Sequence, residues 1–193
     1  MLVATLAVGA SFLPVLVGLR HTDWRQRVWW WLAVVAIGNL VIGELVTGPT
    51  WVWTWYAYPV TLWLGVRALV ALPGMEGHRA HAWPLVLLFL GVWLSAPFFG
   101  DRQGGYSVFV APFHALLLSG GSGWAMLRGT MAESHPKTLL VGAATFLTYG
   151  PFVALWPVSA WLSATQPEWV LPVWEARAGL LVVGSVLYAL ALR

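Results

Sequence analysis

Asn39, Tyr58, His114, Tyr149, Trp174 and Glu175 are the residues of this chain that could do chemistry out of water. Each sits inside a long apolar run, where a polar or ionisable side chain is costly and is by default a functional candidate. At a helical rise of about 1.5 Å per residue, Asn39, Tyr58, His114, Tyr149 and Glu175 fall about 9 to 12 Å in from the same side of their segments. Pro59, Pro112, Pro151 and Pro172 lie within three residues of Tyr58, His114, Tyr149 and Glu175 in turn. A proline inside a span frees a backbone carbonyl that a neighbour must satisfy, so the pattern predicts a kinked, polar layer. Two roles fit such a layer. Its members can bond one another as glue between helices, at around 1 kcal/mol apiece. Alternatively they line a pocket that opens outward, with Glu175 and His114 as its ionisable members and Trp174 as adjoining aromatic wall. A buried carboxylate wants a cation or a proton. Arg177, two residues on, points to another side of the helix, and pairs with Glu175 only if the helix unwinds near Pro172, or else with Glu168.

Other chemistries lack parts. There is no Cys, which removes disulfides and thiolate metal sites. His114 could be an axial ligand to a tetrapyrrole, but no second histidine falls within a span to complete a bis-His site. His21, His78, His81 and His135 fall in loops, where solvated side chains are expected. Gly120-Gly121-Ser122-Gly123 has the Gly-x-Ser-Gly form of rhomboid-type proteases, which also need a histidine on another helix. His114 is on the same helix as Ser122, about 12 Å away along the axis, so the run is expected to pack helices.

The elements that must position the candidates follow from composition. Of 193 residues, 60% are hydrophobic and 9% charged, against about 25% charged in a soluble domain. Lipid is therefore the expected solvent, and the fold class is all-α: a single polytopic domain over residues 1–193 with about seven transmembrane helices. The expected spans are Met1 to Leu19, Val28 to Val46, Trp51 to Leu72, Trp83 to Phe99, Tyr106 to Leu127, Lys137 to Ser163 and Trp169 to Leu192. Gln166-Pro167 marks the last turn. Arg20, Arg25, Arg27, Arg79, Arg128, Lys137 and Arg193 then share one side and Arg102 lies on the other, which predicts N-out and C-in. No basic segment precedes the first apolar run, so that run is expected to be a retained span. Fourteen of the 15 tryptophans divide by depth. Trp24, Trp29, Trp30, Trp31, Trp51, Trp53, Trp83, Trp161 and Trp169 are expected in the interfacial belts, whereas Trp63, Trp93, Trp124, Trp156 and Trp174 are expected to fill the bundle.

The stretch GELVTGPTWVWTWYAYPVTLWLG, about a tenth of the chain, resembles the region between the second and third helices of microbial rhodopsins. The only lysine is Lys137, in a loop, so the covalent retinal that such a resemblance implies is ruled out. The same stretch, with Glu44 before Thr-Gly and YAYP after it, is similar to membrane enzymes of carotenoid cyclisation and hydration, which implies a carboxylate acid at Glu44 or Glu175. The expected function is non-enzymatic: binding of a small apolar ligand, pigment or isoprenoid in the outer half of the bundle, as a sensor or accessory subunit. The alternatives are a transporter or channel coupled through Glu175 and an isoprenoid-modifying enzyme. The expected partners are the bilayer and other membrane subunits or further copies of the chain, with no nucleic acid. The expected location is a prokaryotic inner or plasma membrane.

Overall fold

The computed structural model describes residues 2–18, 23–41, 50–103, 106–131 and 135–193, and the side chains of most of them. Glu44, Arg20, His21 and the turn at 47–49 lie outside the described residues. Helices dominate: α1 (Leu2–Ser11), α2 (Leu13–Val17), α3 (Trp24–Leu40), α4 (Thr50–Leu69), α5 (Ala82–Ser95), α6 (Val110–Met131), α7 (Pro136–Tyr149), α8 (Phe152–Thr165) and α9 (Val170–Leu192). Among the described residues, Ala82–Phe99, Pro136–Thr165 and Pro167–Leu192 are long and apolar enough to cross a membrane. Thr5–Val17 is a shorter apolar helix.

Packing closes a ring. α3 lies on α4, α4 on α6, α6 on α7, α7 on α9, and α9 on α1 and α2, which return to α3. α5 leans on α4 and α6 from outside, and α8 covers α6 and α9. Because the helices are apolar all round, large side chains also face outward: Leu87, Leu94, Leu127, Trp161 and Leu171 are exposed. Hydroxyls inside the helices bond back to their own ladder, as Ser122 Oγ does to the Ser119 carbonyl (2.7 Å) and Thr145 Oγ1 to that of Val141 (2.8 Å). Such back-bonding leaves little polar surface on the helix flank.

Small residues set the closest approach. A Cβ at Gly184 of α9 would stand 2.5 Å from Thr148 Oγ1 and 3.2 Å from the Ala144 carbonyl oxygen on α7. The two backbones meet there because nothing intervenes. In the Gly120–Gly123 run, Ser122 is fully buried and a Cβ at Gly121 would meet Leu69, whereas Gly120 and Gly123 border open space. The expected packing patch is therefore half the run.

Prolines correct three expectations. The sixth predicted span, Lys137 to Ser163, has the apolar length to cross a membrane, but it is built of two helices, because Pro151 has no N–H to continue the ladder and α7 ends at Tyr149. The first is likewise divided, with Pro14 in the first turn of α2. Pro112 and Pro172 fall in the first turns of α6 and α9, where no intrahelical N–H is missed, so they begin helices and do not kink them. Only Pro59, of the prolines flanking the candidate residues, stands inside a helix.

Between α5 and α6 a short antiparallel pair, Arg102–Gln103 with Tyr106–Ser107, is anchored by Asp101, which is 3% exposed. Its Oδ1 accepts from the backbone N–H of Phe109 (2.6 Å) and Val110 (3.1 Å), and its Oδ2 from Ser107 Oγ (2.8 Å). Ser107 Oγ in turn accepts from Ala111 N (2.9 Å), so one carboxylate and one hydroxyl cap α6. Removing the carboxylate strands these donors. Asp101→Ala is expected to cost about 2 to 3 kcal/mol, read as a lowered midpoint of thermal unfolding in detergent, with Asp101→Asn intermediate because one amide oxygen still accepts.

Candidate functional site

Trp31 of α3 holds the inner wall of the site. Its indole is 0% exposed, stacks on Tyr149 of α7 (ring centroids 5.9 Å, interplanar angle 15°) and meets Tyr188 of α9 edge-on at 6.1 Å. α4 reaches it because residue 65 is glycine: a Cβ there would lie 2.9 Å from Trp31 Cε2 and 2.7 Å from Leu118. Tyr188 bonds to Thr145 Oγ1 at 2.7 Å, which ties α9 to α7 a second time. The expectation that Trp29, Trp30 and Trp31 all belong to an interfacial belt is corrected. Only Trp30 faces outward, at 53% exposed, while Trp29 donates from Nε1 to the Val15 carbonyl of α2 (2.7 Å).

Beyond Tyr149 comes His114 of α6, 5% exposed and edge-on to Tyr149 at 5.7 Å. Tyr58 of α4 (5.2 Å) and Phe89 of α5 (5.9 Å) close the rest of its surroundings. His114 Nε2 is 3.1 Å from Thr61 Oγ1, and that hydroxyl also lies 3.0 Å from the Ala57 carbonyl and 3.2 Å from that of Tyr58. With its single proton on a carbonyl, the Thr61 oxygen accepts from Nε2–H, which leaves Nδ1 as the acceptor of the ring. An imidazole so enclosed suits a hydrogen bond to a guest better than axial ligation of a macrocycle.

Pro59 opens α4 at this level. It cannot donate to the Trp55 carbonyl, and Trp93 Nε1 of α5 donates there at 3.1 Å. The freed carbonyl thereby recruits α5 to the bundle.

The opposite wall is aromatic. Trp174 of α9 meets Trp156 of α8 edge-on at 5.1 Å and Phe152 at 6.1 Å, and its Nε1 donates to Ser159 Oγ at 3.0 Å. Arg177, one turn further along α9, places its guanidinium 3.7 Å from the Phe152 ring centroid and 5.6 Å from that of Trp174. Its Nε is buried without a hydrogen-bond partner. A desolvated cation–π contact contributes about 2 kcal/mol. A guanidinium deep in an apolar helix costs about 2.5 to 3.5 kcal/mol on insertion scales. The rings therefore offset most, but not all, of the cost.

Between the walls lies a cleft of two lobes. The larger, about 350 Å³, is lined by Asn39, Tyr58, Thr61, His114, Tyr149, Phe152, Trp156, Trp174 and Arg177. The smaller, about 300 Å³, is lined by Asn39, Tyr149, Trp174, Glu175, Arg177 and Tyr188 among others. The two share Val35, Asn39, Thr148, Tyr149, Trp174, Arg177 and Leu181. All the candidates named from sequence thus border one cleft, Glu175 on the smaller lobe alone. The two-residue spacing predicts that Arg177 turns away from Glu175. It does turn away, onto Phe152, and so borders both lobes. Thr61 and Phe152 were also missed; their signal was the spacing of one turn from Tyr58 and from Tyr149.

A separate cavity of about 340 Å³ is lined by Met75, His78, His81, Leu117 and Trp124 and shares no residue with the cleft. His78 is half-buried, 5.7 Å from Trp124, where a solvated loop residue was expected. Among the described residues no group of three His, Asp or Glu could hold a metal ion.

No protein family, no curated protein and no solved structure matches the chain.

The Pro59 arrangement is testable by a double-mutant cycle. Trp93→Phe keeps a ring and removes the donor, at an expected cost of about 1 to 2 kcal/mol in unfolding free energy. In a Pro59→Ala background, where residue 59 regains its own N–H, the same change is expected to cost less than half as much.

Proposed function

We propose that this chain is a bundle of about seven membrane spans, N-out and C-in, that binds a small, largely apolar molecule in the cleft between α3, α4, α6, α7, α8 and α9. The single observation that carries the reading is the cleft itself: an aromatic wall facing a few converging polar groups. Small-molecule sites have that character, apolar lining with a handful of placed hydrogen-bonding groups, and volumes from about 300 Å³ upward. Tyr149, Glu175 and Arg177 lie in segments apolar enough to cross a bilayer, where their cost calls for a role. Trp156 and Trp174 offer indole surface to a ring system or polyene, so a pigment or isoprenoid is the ligand class favoured. A protein of this design acts as a sensor or as an accessory subunit of a membrane complex, and its outward leucines are the surface for lipid, further subunits or other copies of itself.

A transporter is the second reading. It is favoured by the two adjoining lobes, which would give a solute a path past Glu175. An isoprenoid-modifying enzyme would use Glu175 as its general acid.

Ligand content separates these readings. The protein is extracted with its native lipids in polymer discs, and bound organics are counted per chain by mass spectrometry. Binding predicts a stoichiometric compound that falls at least about fivefold in His114→Gln and in Trp156→Ala, while Trp161→Ala, which alters an exposed ring on the far side of α8, keeps it. An empty wild-type protein with pH-dependent flux in liposomes would favour transport.

Orientation has an equally direct test, because the absence of cysteine makes single-cysteine labelling clean. Gly77→Cys and Gln166→Cys are expected to react with a membrane-impermeant maleimide from opposite sides, the first from the inside and the second from the outside. Labelling of both from one side overturns the proposed topology.

A further inference from the structure

We propose that the ligand is an amphiphilic carboxylic acid, its carboxylate held by Arg177 where the two lobes meet and its apolar body lying along Trp156 and Trp174. The inference rests on the cleft being a ligand site and adds to it the chemistry of the headgroup. Three observations point the same way. Arg177 borders both lobes, so a group bound to it occupies their junction. Its guanidinium is fixed in place by the Phe152 face at 3.7 Å, and a stacked guanidinium keeps its donor edge free in the ring plane. Its Nε–H is buried without an acceptor, one prong of a fork whose geometry matches the two oxygens of a carboxylate.

The surroundings select for one negative charge on a long apolar body. Tyr58 and Tyr149 border the same lobe as Arg177 and bring hydroxyl donors, suited to a single carboxylate. From the junction, the Trp156 and Trp174 rings, with Val35 and Ala57 across from them, give the tail an apolar bed.

The probe is cis-parinaric acid, a fluorescent polyene carboxylate, compared with its methyl ester, which has the same tail and no charge. Binding to the purified full chain in a non-ionic detergent is followed by the rise in polyene emission. The acid is expected to bind about ten- to a hundredfold more tightly than the ester, the range that hydrogen bonds to a charged partner contribute. In Arg177→Gln the acid is expected to fall to the ester's affinity while the ester holds its own, and that retained binding reports that the variant is folded. Arg177→Lys is expected to recover part of the difference, since an ammonium supplies charge without the fork. Equal affinities for acid and ester in the wild-type protein, a comparison that needs no variant, would overturn the carboxylate assignment and leave the apolar cleft standing. Failure of both probes to bind would overturn the assignment together with the reading of the cleft.

Discussion

The buried indole of Trp31 is the contact on which the bundle's interior depends. It touches α4 through the bare backbone of Gly65, α7 through the face of Tyr149 and α9 through the edge of Tyr188. An aromatic at such a junction couples three interfaces, since it cannot shift toward one neighbour without opening a void beside another. The cleft inherits this rigidity. Tyr149 is fixed on one face by Trp31 and presents the rest of its ring to His114, which is fixed in turn by Thr61. The polar groups of the cleft are therefore second and third in a chain of contacts that begins in the apolar core.

Backbone satisfaction is the other organising rule. In an apolar solvent each carbonyl released from a helix ladder must find a donor, and tryptophan is the one large apolar side chain that brings an N–H. The structure uses it three times across elements: Trp29 on the Val15 carbonyl, Trp93 on the carbonyl freed by Pro59, and Trp174 on Ser159. The abundance of tryptophan thus has a structural use besides the interfacial belt. It lets helices that are greasy on every side dock through directed bonds and not through shape alone.

Much of this was legible in the residues. The helical, lipid-suited character follows from the scarcity of charge, and counting along a helix singles out Asn39, Tyr58, His114, Tyr149 and Glu175, which all border the cleft. What failed did so for identifiable reasons. Trp31 looks like its neighbours Trp29 and Trp30 in sequence, and only the angular position around α3 separates a core indole from a surface one. Arg177 is not marked by its spacing from Glu175, because the backbone at i and i+2 faces opposite ways, but a long guanidinium side chain folds back along the helix, and a cleft with two lobes can flank α9 on both sides. Asp101 gave no signal because its partners are backbone amides of the segment that follows, which composition does not mark. The division of α7 from α8 was readable in Gly150-Pro151, but length alone favoured one tilted span.

The edge-to-face meeting of Trp156 and Trp174 at 5.1 Å has a consequence in the optics of the molecule. Two indoles this close and steeply inclined share the excited state of their strong far-ultraviolet transition, which imprints a paired, oppositely signed band on the far-ultraviolet circular dichroism. Both rings border the larger lobe. The dichroic couplet is therefore a built-in gauge of the aromatic wall, whose sign and splitting track the angle between the α8 and α9 indoles without any added dye.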